Sequence, residues 1–391
     1  MRPIYLDYNA TTPVAPEVVD AMLPYLREHF GNPSSAHTYG SAARRAVEEA
    51  RTAVARLLNA DAGAIIFTGG GTESNNLAIQ GLARADETGR RHLITSAVEH
   101  PAVLEVFRWL ESQGFRVSLL PVDGAGRVDP EDLEREIGPE TLLVSVMHAN
   151  NEVGTIQPIA ELAEIAHQNR ALMHTDAAQS VGKIPVDVEA LHVDLLTVAG
   201  HKLYAPKGTG GLFIRPGLSL APVIHGASHE RGLRPGTEAV HQIVGLGAAA
   251  RIAGQNLPAQ GERLRGLRDR LETGFRRELG PETIRRNGHP DERLPNTLSL
   301  SFRGVRADAL LAAVSDRVAA SAGSACHADD VRLSPVLRAM GVDPEWGMGT
   351  LRLSVGRYTT EDEVDRAVSV IAAGVEELKR RPSPRGALRD A

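Results

Sequence analysis

Along the first two-thirds of the chain, short apolar runs rich in β-branched residues alternate with segments whose apolar residues recur every three or four positions. The apolar runs predict buried strands at Ala64 to Thr68, His92 to Ser96, Val117 to Val122, Leu142 to Met147, Leu172 to Thr175, Leu195 to Ala199 and Gly211 to Ile214. The periodic segments predict helices at Pro101 to Gln113, Pro130 to Ile137 and Pro158 to Gln168. Each opens on a proline, which suits a first helical turn where the missing N–H costs nothing. Strands alternating with helices describe an α/β fold, a large domain with a mainly parallel seven-stranded sheet. From Glu238 to Leu279 the pattern is helical and arginine-rich, a long connection interrupted near Pro258. Strands at Thr297 to Phe302, Val318 to Ser321 and Leu351 to Val355, with helices between, describe a smaller α+β domain. The expected division is residues 15–257 for the large domain and residues 1–14 with 258–380 for the small one. Residues 381–391 are expected to be a disordered tail.

Composition adds limits. At 391 residues and 41.8 kDa the chain exceeds one ordinary domain. With 42% hydrophobic and 24% charged residues it is neither a mostly disordered nor a collagen-like sequence. A formal charge of −6 gives no basic footprint for nucleic acid. No apolar run approaches the roughly 18 residues that a membrane span needs, so no membrane partner is expected. The first residues lack the apolar core of a secretory signal, which makes the cytoplasm the expected compartment. Cys326 is the single cysteine, so an intramolecular disulfide and a cysteine-cluster metal site are excluded, and no metal is expected. Four lysines stand against 39 arginines, which singles out Lys183, Lys202, Lys207 and Lys379. Lys183 and Lys379 read as surface residues and Lys207 as a loop cation.

Four segments carry candidate chemistry. Thr68-Gly69-Gly70-Gly71-Thr72-Glu73 follows a strand and precedes a helix; glycines and a helix N-terminus make a phosphate cradle, and equally a plain strand–helix turn capped by Thr72. Asp176 lies just past a short strand, where α/β sheets place ligand groups. It suits a cationic ring nitrogen or an N-cap. Lys202, in Gly200-His201-Lys202, follows another strand. Partly desolvated it is a nucleophilic amine, and exposed it is an ion-pair partner. Cys326 lies in Gly323-Ser324-Ala325-Cys326-His327, a run of small residues leading to a polar loop, and is either a candidate thiolate or incidental. His100, Asn151 and Arg352 are further polar candidates: a ring-stacking or proton-handling histidine, a ligand-orienting or turn-capping asparagine, and a carboxylate clamp or surface charge. A phosphate cradle, a strand-end aspartate and a strand-end lysine, in that order, suit pyridoxal 5'-phosphate.

The sequence resembles the NifS/IscS-type cysteine desulfurases, pyridoxal phosphate enzymes of fold-type I within the class-V aminotransferases. The resemblance runs from Leu6-Asp7-Tyr8-Asn9-Ala10-Thr11-Thr12-Pro13 to Gly356-Arg357-Tyr358-Thr359-Thr360. It includes Gly71-Thr72-Glu73-Ser74-Asn75-Asn76, Asn150-Asn151-Glu152-Val153-Gly154, Asp176-Ala177-Ala178-Gln179, Gly200-His201-Lys202 and Gly323-Ser324-Ala325-Cys326. It implies that Lys202 carries the cofactor, Asp176 meets the ring nitrogen, Gln179 the ring hydroxyl, and His100 stacks on the ring. It implies that Gly71, Thr72 and His201 hold the phosphate and that Asn151 lies in the cofactor site. Thr237 reaches the phosphate of a partner subunit, so a homodimer is implied. Asn32 and Arg352 meet the substrate carboxylate, and Asn151 also belongs to the substrate site. Cys326 takes the sulfur of L-cysteine as a persulfide, leaving L-alanine, and a flexible stretch to Pro335 carries it to an acceptor protein such as an iron–sulfur scaffold or a tRNA-thiolation protein.

Three departures stand out. Ala199 replaces a serine that touches the phosphate, a loss of about 1 kcal/mol. Residues 225–230 replace a more glycine-rich run. His327, next to the nucleophile, would lower the thiol pKa as a nearby base or cation. The competing readings are a selenocysteine lyase or true aminotransferase, a non-catalytic sulfur carrier of the same fold, and a single-thiol redox sensor.

Overall fold

The computed structural model describes residues 2–327 and 330–380, and of residues 324–327 and 330–332 the backbone alone. The tail expected at 381–391 lies outside the described residues.

Seven strands form one sheet in the order Ile65–Thr68, Gly210–Ile214, Leu195–Ala199, Leu172–Asp176, Thr141–Ser145, His92–Ser96, Arg116–Leu120. Neighbours run parallel except Gly210–Ile214, which is antiparallel to both strands beside it. The expected mainly parallel seven-stranded sheet is present, with strand ends shifted by a residue or two. Successive side chains point to opposite faces, and helices cover each face. Ile65, Phe67, Ile94, Val144, Leu196 and Phe213 share a cluster with helices Thr38–Leu57 and Val240–Gln255. Ile66, Leu93, Leu143, Leu195 and Leu212 share another with helices Gly71–Ala85 and Pro101–Ser112. Burial on both sides is why these strands read as unbroken apolar runs.

A second core gathers on a four-stranded antiparallel sheet, Ser321–Ala322, Thr350–Ser354, Thr297–Phe302 and Ile284–Asn287. Leu267, Leu271 and Phe275 of helix Leu257–Leu279 and Val364, Val368 and Ile371 of helix Glu361–Arg380 cover it. The N-terminus joins this core: Ile4–Tyr5 pairs parallel with Val318–Ala319, and Leu6 is fully buried there.

Several details depart from expectation. The helical stretch after Glu238 is two helices that meet at Asn256, and Pro258 sits in the first turn of the second, where a proline is tolerated. Pro158 caps its helix from outside rather than opening it. Val318 to Ser321 divides into two short strands. Helices Pro16–Arg27 and Thr38–Leu57 were not foreseen. The second of these carries alanines on its buried face and lies close against Val240–Gln255. A Cβ on Gly247 would stand 2.5 Å from the Ala50 Cα.

The loop after Ile214 is tied back by a buried ion pair. Arg51 on helix Thr38–Leu57 donates to both Glu230 oxygens at 2.8 and 2.7 Å, and Glu230 also accepts from the Phe67 N–H at 2.7 Å. This pair anchors the C-terminal end of the 225–230 segment.

Gly247→Ala should lower stability by about 1–3 kcal/mol, because the contact it overfills is backbone. Urea titration should show an earlier midpoint with an unchanged slope.

Candidate active site

The carboxyl ends of the parallel strands open on one cavity of about 300 Å³. Gly71 and Thr72 enter it from the turn after Ile65–Thr68, and His100 from beyond His92–Ser96. Asp176 closes strand Leu172–Asp176 and Gln179 follows it, His201 and Lys202 enter from beyond Leu195–Ala199, and Asn151 completes the expected set. Strand ends converge there because each chain must leave the sheet on that edge.

Helix Gly71–Ala85 has no side-chain cap, so its first N–H groups and dipole face the cavity as an anion cradle. A Cβ on Gly71 would come within 3.2 Å of the Ala199 methyl, a tight approach in this turn. The Asp176 Oδ2 accepts from the Asn75 Nδ2 at 2.8 Å and its Oδ1 from the Ala178 N–H at 2.9 Å. Asn75 lies three residues after Thr72 on the same helix face, a spacing that could have identified it.

Lys202 ends a single turn of 3-10 helix, Gly200–Lys202. A Cβ on Gly200 would sit 2.8 Å from the Thr209 carbonyl oxygen, so only glycine fits. Tyr204, two residues on, has φ 62°, a left-handed conformation held by Thr12, whose Oγ1 accepts from the Tyr204 N–H at 2.9 Å. Lys202 is partly buried and makes no hydrogen bond or ion pair among the described residues. Burial pushes its amine below the ordinary lysine value; Asp176 opposes that and Arg352 adds to it.

His100 caps helix Pro101–Ser112, its Nδ1 accepting from the Ala102 N–H at 3.1 Å, so its proton sits on Nε2. The ring keeps an open side to solvent, yet the protein around it and the Lys202 charge lower its pKa. Burial lowers the His201 pKa to about 4, with Lys202 and Lys207 adding to the effect. Behind the cavity Glu99 is buried; its Oε1 accepts from the Ser96 hydroxyl at 2.7 Å and the Met147 N–H at 2.8 Å, and burial raises its pKa to about 8.

The remaining candidates lie outside this lining. Arg352 pairs with Asp7 at 2.8 Å and donates to the Asn151 carbonyl at 3.1 Å, with its Nε unpartnered among the described residues. Asn32 and Thr237 are on exposed loops. The Thr237 loop is anchored by Arg234, which pairs with Glu73 at 3.0 Å in the first turn of the cradle helix. Cys326 lies on a strand, Ser324–His327, antiparallel to Asp330–Leu333. The stretch expected to be flexible therefore has paired backbone, and the Cys326 and His327 side chains lie outside the described residues. Lys207 and Lys379 are exposed, as expected, but Lys183 is buried, contrary to its surface reading. Its amine has found two buried amide oxygens, one from Gln179 and one from Asn9.

An anion cradle, a strand-end carboxylate and an unpaired amine fit pyridoxal phosphate. The family model for "Aminotransferase class-V" matches residues 4–367. The chain is 46% identical over 379 residues to the cysteine desulfurase IscS of Methanosarcina thermophila, covering 97% of this chain and 93% of that one. A solved structure described as a NifS-like protein superposes with a TM-score of 0.90 at 39% identity, covering 97% of this chain and all of the other. SspA in complex with cysteine superposes at 0.79 with 37% identity, covering 92% of this chain and 100% of that one. The chain belongs to the class-V aminotransferases and, among them, to the cysteine desulfurases of the IscS and NifS-like kind.

Glu99 makes a stability prediction. Its folded pKa of about 8 lies above the usual 4.5, so the folded state holds a proton that the unfolded state gives up in that interval. The contribution of Glu99 to stability should fall as pH rises from about 4.5 to about 8 by an amount on the order of a few kcal/mol. In urea titrations across the interval the stability of Glu99→Gln should therefore rise relative to the wild type as pH rises, and a difference that stays constant would show an ionised Glu99.

Proposed function

We propose that this chain converts L-cysteine to L-alanine with pyridoxal phosphate and holds the released sulfur as a persulfide on Cys326 for an acceptor protein such as an iron–sulfur scaffold. The observation that carries the reading is the single cavity that gathers an unpaired amine at Lys202, the carboxylate of Asp176 and the open N-terminus of helix Gly71–Ala85.

Pyridoxal phosphate, when bound, supplies an electron sink that makes the substrate Cα–H acidic. Gly71, Thr72 and His201 hold its phosphate, Asp176 its ring nitrogen and Gln179 its ring oxygen. Lys202 is the attachment point. With its pKa lowered by burial, a larger share of the amine is unprotonated at a given pH than for a surface lysine, which suits a nucleophile and then a proton acceptor. His100 faces the same space as a neutral imidazole that can hold or pass a proton at Nε2. The present partners of Asp176, an amide and a backbone N–H, are neutral donors, so no protein cation competes with the ring nitrogen for it. Asn32 and Arg352 take the substrate carboxylate, and Asn151 lines the same site. The Cys326 thiolate receives the sulfur.

The working unit is a homodimer in this reading. Thr237 is exposed and outside its own chain's cavity, as a residue serving a partner's phosphate must be. Phe30 and Tyr39 stack at 5.4 Å with 76% and 59% of their surface exposed, an aromatic patch suited to burial against a second copy. Two domains, residues 15–257 and residues 1–14 with 258–380, follow the two separate cores. The cytoplasm is the proposed compartment; no helix among the described residues is long and apolar enough to cross a membrane.

Cys326→Ser separates the roles. The purified variant should keep the visible cofactor band and the bleaching of that band by cysteine, while alanine and sulfide production fall to background. Turnover that persisted would exclude the persulfide route and favour an aminotransferase.

A further inference from the structure

Among the buried titratable side chains to which the chemistry above gives no part is a lysine. Lys183 is 8% exposed and forms no ion pair among the described residues. Its Nζ donates to the Gln179 Oε1 at 2.7 Å and to the Asn9 Oδ1 at 3.1 Å. Taking a lysine out of water beside neutral oxygens is costly. A methionine would fill similar space without that cost, so packing does not explain the residue.

What the amine does is orient an amide. The two ends of a glutamine side chain have nearly the same shape and opposite hydrogen-bonding character. Lys183 offers only N–H donors to Gln179, so the Gln179 oxygen faces it. The Gln179 Nε2 then donates to the Asn9 carbonyl at 3.0 Å, and its second hydrogen is the donor it can offer to the cavity it lines. Asn9 is fixed in its turn. Its Oδ1 also accepts from the Asn296 Nδ2 at 2.9 Å, and its Nδ2 donates to the Thr297 hydroxyl at 2.8 Å. Gln179, Asn9, Asn296 and Thr297 are each at most 3% exposed, so water does not compete for these bonds.

We propose that Lys183 is a positioning residue that locks the Gln179 amide, so that an N–H and not a carbonyl is presented to the ring oxygen of pyridoxal phosphate. The proposal rests on the assignment of Gln179 to the ring oxygen and of Lys202 to the attachment point. Burial, with the nearby Lys202 and Arg352 charges, holds the Lys183 amine well below the ordinary lysine value. Both of its partners are acceptor oxygens, so the amine acts here as a donor alone.

The test is a pH titration of the visible band of the holoprotein in the wild type, Lys183→Met, Gln179→Leu and the double variant, with thermal unfolding run alongside. A ring oxygen that loses a donor keeps a shared proton to higher pH. Lys183→Met should therefore raise the midpoint by about one pH unit. Gln179→Leu should raise it comparably, and the double variant should move no further than Gln179→Leu alone. Additive shifts, or a lower melting temperature with an unmoved midpoint, would overturn the proposal, since a lysine that only supports the fold behaves that way. If Lys183→Met does not accumulate as holoprotein, Asn9→Ser carries the test. It removes one of the amine's two acceptors and should raise the midpoint by less, and no shift counts against the proposal. Borohydride reduction of the wild type followed by peptide mapping isolates the parent reading. An adduct elsewhere than Lys202 ends that reading, whereas an adduct on Lys202 with an unmoved midpoint in the variants ends only the role of Lys183.

Discussion

The site depends on keeping one amine out of water and out of an ion pair. Lys202 feels the Asp176 charge, yet the two do not close on each other. The acidic groups around the cavity are occupied elsewhere. Asp176 is held by Asn75 and the Ala178 N–H, Asp7 by Arg352, and Glu73 by Arg234. A desolvated amine would otherwise collapse onto the nearest carboxylate, because their attraction strengthens as water leaves. Supplying each carboxylate with other donors leaves the amine reactive and the Asp176 charge available to a ligand.

The N-terminal segment carries much of this arrangement. Within six residues Asp7 pairs with Arg352, Asn9 joins Gln179 and Lys183 to Asn296 and Thr297, Thr11 meets the His201 ring, and Thr12 holds the turn that follows Lys202. Leu6, just before them, is buried in the second core. The strip therefore fastens the wall of the cavity to the smaller sheet. A shift of that sheet against the larger one would be felt first at Gln179 and at the Lys202 turn.

The sheet was legible in the sequence because strands buried on both faces become continuous apolar runs, which need no partner to be recognised. Helix Thr38–Leu57 was not, because its buried face is built of alanines and valines among many charged residues, so the segment reads as polar overall although its apolar residues gather on one face. Strand Ile284–Asn287 was hidden for a related reason: its inward Asn287 is polar and is satisfied by the Ser301 hydroxyl at 2.9 Å, a partner fixed only by the fold. Site residues were legible where one residue type has a distinct chemical use at a strand end, as with Lys202 and Asp176. Asn75 and Lys183 were missed because each acts on another protein side chain. Burial of Lys183 requires an oxygen from Asn9, 174 positions away in the chain.

Neutral interior groups give the fold opposing responses to pH. Burial lowers His92, His148, His174 and His201 to about 4, so the unfolded chain binds protons at their ordinary value of 6.5 that the folded chain refuses. Their contribution is full above 6.5 and is lost as pH falls toward 4. Glu99 works in the opposite sense over an overlapping interval. His174 shows what the low values secure: its Nδ1 lies 2.7 Å from the Ser145 hydroxyl and its Nε2 3.2 Å from the Thr197 hydroxyl, two residues before Asp176 on the same strand face. An uncharged ring there ties three central strands together without adding another cation beside Lys202 and Arg352. Protonation would set a charge under Asp176 and give that carboxylate the partner that the rest of the site is arranged to deny it.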